Sequence, residues 1–408
     1  MSTLNSRSYI NLRDVVLLND TSALFFVIYD QAKEIACASI ETILPRKVIA
    51  RFEDDHLNGL VMFSQESPID PTLVDIELKT NLYAYSYGID ELPTITRSSE
   101  EPMKCANINN IIYNPGNISP FSVPIEGLGT SDQYAIGDLS GKYGTLLKKY
   151  NEKISTVDFN LPLFGRNSIV GRALVFYAPN GTTVACTNLD LSEAEMTIAF
   201  ATFDKPVQGQ IILKQRKQNC TEDTYVYFEI SKSQENATTS KNHEWSIRKN
   251  PIFTGKHLIW NIIINFTQIY TNYFYNLNII KFNNFVYYLL LDNSWSTTDC
   301  VQTDQIFNPY NKSTDAIYGR DCNYANVIAC KLGDMAKKLS LIDIVPYKLS
   351  DSGTINLKKY YFVDSFLPLC GPNSVIGKSV QINQQNQSSQ ALTCANLVLL
   401  ESEDQDYN

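Results

Sequence analysis

The chain has 408 residues, of which 44% are hydrophobic and 19% charged, so its composition fits a soluble globular protein and its length fits two or three domains. The formal net charge is −9 and no run of Lys or Arg stands out, which argues against a nucleic-acid partner. Val, Ile, Thr, Tyr and Phe are plentiful, turn signals are frequent, and long runs with helical periodicity are scarce. This pattern predicts an all-β sandwich or barrel.

The first segment, residues 1–45, ends in two short apolar runs, Phe26–Tyr29 and Ile35–Ser39, and the second run contains Cys37. A strand followed by a Cys also ends both repeats described next. We therefore interpret residues 1–45 as the remnant of a truncated repeat copy. The alternative is a simple N-terminal extension.

An internal repeat organises the rest of the chain. Residues 158–172 and 364–378 share the pattern Asp-x-x-Leu-Pro-Leu-x-Gly-x-Asn-Ser-x-x-Gly followed by Arg or Lys. Further matches lie in the same order: the Cys at 186 and 394, Ile-aromatic-Asn-Pro at 112–115 and 306–309, Gly-Asp at 137–138 and 333–334, and apolar runs from Gly59 and Gly209. Chance does not produce so many matches in one order, so we predict a first copy over residues 46–191, a second over 192–402 and a tail at 403–408.

The second copy carries an insertion of roughly 33 residues at about 252–296. The insertion is rich in Asn, Ile, Tyr and Phe, contains almost no Pro or Gly and shows no clear period. Asparagines interrupt every apolar run, which argues against a transmembrane helix. It reads either as a long hydrophobic loop or, our preferred hypothesis, as a translated AT-rich intron, which a cDNA retaining these codons would refute.

The repeated motifs resemble the Cu/Zn superoxide dismutase family, and in particular its copper-only repeat proteins and the insect proteins related to superoxide dismutase. The features that carry the resemblance are the Ile-aromatic-Asn-Pro, Gly-Asp and Asn-Ser-x-x-Gly motifs and the Cys after each final strand. The resemblance covers nearly all of residues 46–402 outside the insertion. It implies two tandem Greek-key eight-stranded β-barrels with immunoglobulin-like sandwich architecture.

The resemblance also implies one disulfide in each copy, which joins a long loop to the last strand. Carried over residue by residue, it pairs Cys105 with Cys186 and Cys300 with Cys394. The alternative is a set of free buried thiols, as expected in a reducing compartment. Cys322 and Cys330 form a candidate local pair, and no role is assigned to Cys220 or Cys370.

The copper site implied by the family is predicted to be degenerate. The family uses four copper histidines, two of them in His-x-His spacing on one strand, whereas this chain has only three histidines. We place the corresponding positions, in order, at the following residues: Tyr85, Tyr87, Ile112 and Tyr177 in the first copy, and Ser246, Arg248, Ile306 and Asn383 in the second.

The zinc site is also predicted to be lost. Asp138 and Asp334 match the family's zinc aspartate, but Ala135 and Lys331 stand where the family has a zinc histidine. One carboxylate does not hold a structural zinc. We therefore expect neither copper nor zinc, unless the family's activity is retained. His56 and His243 are read as surface residues, His257 opens the insertion, and Asp158 and Asp364 are read as turn or cap residues.

These observations predict a non-catalytic superoxide dismutase-like repeat protein that acts by binding or as a structural module, with an unknown protein or surface partner and packing between its two copies. The alternative is a copper-dependent superoxide dismutase whose active copy lies outside this chain. An unrelated immunoglobulin-like adhesion protein is a third and weaker hypothesis, since the Cys–Trp–Cys pattern is absent.

Asn-x-Ser/Thr sequons favour a glycosylated protein of the secretory pathway; they include those at Asn19, Asn180, Asn219, Asn236, Asn265, Asn311 and Asn386. The first 25 residues lack a basic stretch followed by an apolar run, so no signal peptide is predicted and a cytoplasmic location is the alternative.

Overall fold

The computed structural model describes most of residues 43–400 and several isolated strands. The described ranges are 43–53, 57–80, 85–94, 110–147, 150–234, 237–252, 305–312, 315–347, 357–385 and 387–400, the single residues 105, 108 and 300, and the strands at 25–30, 33–39, 279–282 and 285–288. The chain divides into two units, Met1–Pro45 and Arg46–Asn408.

The N-terminal unit contains one antiparallel hairpin of β1 (Phe25–Asp30) and β2 (Lys33–Ser39). Val27 lies opposite Cys37, and the register shifts between Ile28 and Tyr29.

The first copy consists of two separate sheets. Its strands are β3 (Arg46–Glu53), β4 (Leu57–Gln65), β5 (Thr72–Thr80), β6 (Ser86–Ile89), β7 (Asn151–Asp158), β8 (Ala173–Tyr177) and β9 (Thr183–Asn188), with a short helix α1 (Leu139–Tyr143). One sheet has the order β3-β4-β5-β7 and the other β6-β8-β9. Alternate residues of β3, such as Val48, Ala50 and Phe52, point inward, and the ring of Phe52 meets Phe176 of the second sheet at 4.9 Å. The core of this copy therefore lies between its two sheets.

The second copy repeats this arrangement with additions. Its strands are β10 (Met196–Phe203), β11 (Val207–Arg216), β12 (Thr224–Lys232), β13 (Ser240–His243), β14 (Trp245–Arg248), β17 (Ile342–Pro346), β18 (Lys358–Asp364), β19 (Ser379–Gln384), β20 (Gln387–Asn396) and β21 (Val398–Leu399). Strands β10, β11, β12 and β18 form one sheet, to which β13, β17 and β21 are added, and the order of the other sheet is β14-β19-β20. Two short helices, α2 (Ala316–Asp321) and α3 (Met335–Lys338), lie in its loops.

The prediction of eight-stranded closed barrels is not confirmed. Within the described ranges, the two sheets of each copy remain separate and neither closes on itself. Two facing sheets bury the apolar residues of both inner faces without the strand tilt and stagger that closure requires. The observed class is a predominantly antiparallel β protein with few and short helices.

The insertion in the second copy lies largely outside the described residues. Its described part is a hairpin of β15 (Ile279–Phe282) and β16 (Phe285–Tyr288). The hypothesis of a translated intron stays a prediction.

The hairpin β1–β2 has the same register as the hairpin that ends each copy. Cys186 lies opposite Val175 in the first copy, and Cys394 lies opposite Gln381 in the second. In both, as in β1–β2, the register shifts after the next residue, at Phe176/Tyr177 and Ile382/Asn383. A shared irregularity at one position is a stronger sign of common origin than strand length, because bulges are conserved features of related folds.

Candidate functional site

The predicted copper positions lie on and beside the three-stranded sheet of each copy, and backbone hydrogen bonds show how the two copies correspond. In the first copy, the Ile89 amide donates to the Gly137 carbonyl at 2.8 Å, and the Tyr113 amide donates to the Ile89 carbonyl at 2.8 Å. In the second copy, the Ile247 amide donates to Gly333 at 2.8 Å and the Phe307 amide donates to Ile247 at 2.9 Å. Ile89 and Ile247 are therefore equivalent.

This equivalence corrects the sequence alignment at two positions. Ser246 corresponds to Gly88 and Arg248 to Asp90, so the predicted correspondence of these residues with Tyr85 and Tyr87 is wrong. Tyr87 points between the sheets, where it is 2% exposed and its ring stacks on Phe176 at 5.5 Å. Successive strand residues face opposite sides, so Tyr87 and Arg248 lie on different faces of their sheets. The observed offset between the copies is three residues shorter at this strand than the predicted one, and no repeated motif lies in the strand to reveal the difference.

Taken from the second-copy positions Ser246, Arg248, Ile306 and Asn383, the corresponding residues of the first copy are Gly88, Asp90, Ile112 and Tyr177. Asp90 and Ile112 form an isolated bridge between strand segments. A Cβ atom added to Gly88 would lie 2.6 Å from Ile112 Cδ1 and 2.8 Å from the Gly137 carbonyl oxygen. Distances this short are not tolerated, so Ile112 and the neighbouring backbone leave no space for any side chain at Gly88.

Asp90 is fully buried and accepts hydrogen bonds from backbone amides. Its Oδ1 accepts the Leu92 amide at 2.9 Å and its Oδ2 accepts the Ile111 amide at 3.1 Å. Burial raises the pKa of Asp90, and these backbone bonds oppose the increase. Among the described residues, the Tyr177 hydroxyl has no hydrogen-bond partner, and its pKa is raised to about 12 by burial and then by the charge of Asp90.

The second-copy site is polar and buried. Ser246, Arg248 and Asn383 are each less than a tenth exposed. Arg248 pairs with Ser379 across the strands and forms a bridge with Ile306, while the Asn383 side chain accepts a hydrogen bond from Gln381 Nε2 at 2.7 Å. The sheet pairing thus holds the backbone of Arg248, and Gln381 holds the side chain of Asn383.

His243 is buried, contrary to the prediction of a surface histidine. Its Nδ1 lies 2.8 Å from the Asn383 carbonyl oxygen and its Nε2 lies 2.7 Å from Ser240 Oγ. Because a carbonyl oxygen only accepts, Nδ1 carries the proton in this contact. The imidazole thus donates a hydrogen bond to the backbone carbonyl of Asn383, which is one of the predicted copper positions. His56 and His257 lie outside the described residues.

The two sites carry opposite charges. The acidic pair Asp90 and Glu91 of the first copy corresponds to Arg248 and Lys249 in the second, since both pairs follow the equivalent isoleucines. A single metal ion of fixed charge does not suit both environments equally. The two copies have therefore diverged electrostatically at the same structural position.

The predicted zinc aspartates have structural roles in both copies. Asp138 caps α1 by accepting the Gly141 amide at 2.8 Å, and burial raises its pKa. Asp334 accepts the Tyr318 hydroxyl at 2.6 Å, and Lys337 Nζ lies 3.9 Å away. Throughout the described ranges, no group of three or more His, Cys, Asp or Glu residues is arranged to hold a metal ion.

Asp158 and Asp364 bind buried lysines rather than acting only as turn residues. Asp158 accepts Lys142 Nζ at 3.0 Å, and Asp364 lies 2.5 Å from Lys338 Nζ. Both aspartates also accept a backbone amide two residues further on, as expected in a turn. The sequence did not predict that each aspartate pairs with a buried lysine.

Four disulfides are present. Cys105–Cys186 and Cys300–Cys394 are the pairs implied by the family resemblance, and Cys322–Cys330 is the candidate local pair. The fourth, Cys220–Cys370, links the β11–β12 turn to the turn after β18 and was not predicted. Neither cysteine has a counterpart in the first copy, and this shared difference could have suggested that the two pair with each other.

A cleft of about 500 Å³ lies beside Ile112 at the boundary between the copies. Arg172 crosses this boundary, with its guanidinium 3.5 Å from the ring centre of Tyr113 and 5.0 Å from that of Tyr361. Arg166 lies over the Tyr324 ring at 4.2 Å and donates to the Tyr324 carbonyl. Both cations join the first copy to aromatic residues of the second.

Comparisons with known proteins yield structural matches only. No family model matches the chain, and no curated protein matches it. Among solved structures, it is similar to the copper(II) form of Candida albicans superoxide dismutase 5, with 17% identity over 52% of this chain and 99% of that chain and a TM-score of 0.30. A Glu-to-Gln mutant of that protein matches with 18% identity over 52% of this chain and 97% of that chain and a TM-score of 0.29. At such scores these matches carry no argument about activity. No helix in the described part of the chain is long and apolar enough to cross a membrane.

Proposed function

We propose that the two copies are superoxide dismutase-like domains whose copper and zinc positions have been taken over by structural side chains, and that the chain is a non-catalytic binding or structural module. The observation that carries the proposal is the packing at Gly88, where Ile112 and the Gly137 carbonyl leave no room for a ligand side chain. The chain's three histidines, even pooled, supply fewer imidazoles than one four-histidine site.

The donor chemistry at the remaining positions supports the same conclusion. Copper in redox enzymes favours imidazole nitrogens, whereas these positions hold an isoleucine in both copies and a permanently charged guanidinium at Arg248 in the second. A guanidinium repels a cation and is not deprotonated in proteins. The residues present do not fit a copper ion.

An extracellular location is part of the proposal. Four disulfides in one chain are expected in an oxidising compartment, because cytosolic thiols are kept reduced. The sequons at Asn180 and Asn311 lie in exposed turns, where a glycan would meet solvent. Secretion from a eukaryotic host, followed by a mass shift on deglycosylation, would support this part.

The central test is metal content and activity. The full chain, dialysed against a copper salt and then against buffer, is expected to hold well below one copper per copy by elemental analysis. It should show no superoxide dismutation above a buffer blank. One tightly held copper ion per copy, or dismutation that a copper chelator abolishes, would overturn the proposal.

A second candidate function is a copper-dependent superoxide dismutase whose active copy lies outside residues 46–402. The register shared by β1–β2 and the two final hairpins supports it, since it suggests a third copy of the same domain. A transcript that encodes no additional copy with four histidines would dispose of this candidate.

A further inference from the structure

The interface between the two copies uses the outer face of one sheet. Tyr225 and Val363 lie directly opposite each other on β12 and β18 of the second copy. Both are buried within the hydrophobic core of the first copy. Beside them, the Tyr361 hydroxyl donates to the Val170 carbonyl at 2.9 Å. The second copy thus presents a sheet face, and the first receives it.

The equivalent face of the first copy is exposed. Thr72 and Thr224 occupy the same position, since each donates its hydroxyl to the carbonyl of the Leu that begins the Leu-Pro-Leu motif. The next residue, Leu73, therefore corresponds to Tyr225, and Val157, which lies opposite Leu73, corresponds to Val363. Leu73 is 48% exposed and Val157 45% exposed.

The receiving surface has an exposed equivalent as well, on the second copy. In the first copy, a Cβ atom added to Gly171 would lie 1.9 Å from the Tyr361 hydroxyl oxygen, so the docked tyrosine fills the space above this glycine. The equivalent glycine of the repeated motif is Gly377, and no atom of the described residues lies within 4 Å of its added Cβ. Val170 is buried, whereas its counterpart Ile376 is only partly buried.

We propose that this chain associates with a second copy of itself head to tail, so that the turn around Gly377 of one molecule docks on the Leu73–Val157 face of the next. A second copy of the chain is the expected partner, because the internal interface already joins surfaces of these two kinds within one chain. The first copy exposes the equivalent of the docking face, and the second copy exposes the equivalent of the surface that receives it. The two surfaces differ, so the contact is heterologous and an open array results unless the rotation closes a ring.

The intermolecular contact is weaker than the internal one. Thr197 lies opposite Gln215 as Arg46 lies opposite Gln65, so the second copy has no arginine at the place where Arg46 binds two carboxylates. Ser155 similarly replaces Tyr361. Association in the micromolar-to-millimolar range is expected. The inference goes beyond the proposed function, because it holds whether or not either copy binds metal.

Sedimentation velocity on the full chain tests the proposal, over about 1 μM to about 1 mM, the range of weak affinities. Leu73→Asp and Gly377→Asp each block one surface, and Asp tolerates the positive φ of Gly377. Their matched controls are Leu341→Asp, at a residue 41% exposed, and Gly181→Asp, at a glycine with the same φ of 79° and open surroundings. Circular dichroism checks that all four variants fold.

The parent and both controls should gain mass with concentration, and each blocking variant alone should stay monomeric. An equimolar mixture of the two blocking variants should form dimers and nothing larger, since each retains the surface that the other lacks. A parent that stays monomeric throughout, or blocking variants that associate like the parent, would overturn the proposal. Copper content is a separate readout, so this result and that of the metal test fail independently.

Discussion

Replacing Arg46 by Met should destabilise the protein strongly, because Arg46 neutralises two buried carboxylates of the other copy. Its Nη2 lies 2.5 Å from Glu222 Oε2 and its Nη1 lies 2.6 Å from Asp223 Oδ2. Nη1 also donates to the Leu163 carbonyl at 2.6 Å. All three charged side chains are at most 6% exposed, so water does not substitute for the lost cation.

The expected cost follows from this burial. Removing one partner of a buried ion pair typically costs about 3–5 kcal/mol, because the remaining charge is left uncompensated. Arg216 Nη1 lies 3.6 Å from Glu222 and retains part of the compensation. The loss in free energy of unfolding should therefore fall near the lower end, at about 3 kcal/mol.

Guanidinium denaturation followed by circular dichroism measures the effect. The matched control is Lys217→Met, which breaks a 3.3 Å pair with Glu195 between side chains that are 67% and 75% exposed. Such surface pairs contribute about 0–1 kcal/mol. Adding Glu222→Gln and Asp223→Asn to Arg46→Met should recover most of the loss, because the orphaned charges are then removed. An Arg46→Met variant as stable as the Lys217→Met control would refute the reasoning.

Three further predictions follow from other features. The double variant Cys220→Ser/Cys370→Ser should lose up to about 5 kcal/mol in denaturation experiments, since the bridge spans 150 residues and chain-entropy stabilisation grows with loop length; a loss no larger than that for opening the bridge of eight-residue separation would contradict this. The raised pKa of Tyr177, about 12 in the folded chain, gives a stabilisation that is present below about pH 10 and lost as the pH rises through about 12, so Tyr177→Phe should flatten the alkaline decline in melting temperature; an unchanged decline would count against it. Histidine substitutions at the four second-copy positions should create a site that binds about one copper per chain by elemental analysis, because each of these positions, unlike Gly88, already holds a side chain; the positions are Ser246, Arg248, Ile306 and Asn383. Histidine substitutions at Tyr85 and Tyr87 should not bind copper, and copper binding by that second variant would contradict the corrected register.

The sequence alone predicted the features that depend on ordered motifs. The pairs Cys105–Cys186 and Cys300–Cys394 were accessible because they rest on residues present twice in the same order, and the predominance of β-structure was accessible from composition and turn signals. The Cys322–Cys330 pair was accessible through its short separation.

The parts that the sequence did not predict depend on register and on contacts between distant segments. Tyr87 lies on the inward face of β6 and, with Tyr85, has the spacing of a ligand pattern, while the outward positions that correspond to Ser246 and Arg248 hold Gly88 and Asp90. A shift by an odd number of residues exchanges the two faces of a strand, and the register is fixed by the hydrogen bonds to Gly137 and by the strand pairing rather than by a local sequence signal. The contacts of Arg46 with Glu222 and Asp223 join residues more than 170 positions apart and have no local signal.

Tyr225 and Val363 belong by sequence to one copy and by packing to the other. An excised first copy would lose part of its own interior, and an excised second copy would expose a tyrosine–valine pair to water, at a cost of about 1.5–3 kcal/mol for each large apolar side chain. The duplicated domains have therefore lost the modularity that usually makes repeats interchangeable. Deletion of either half should impair the folding of the half that remains.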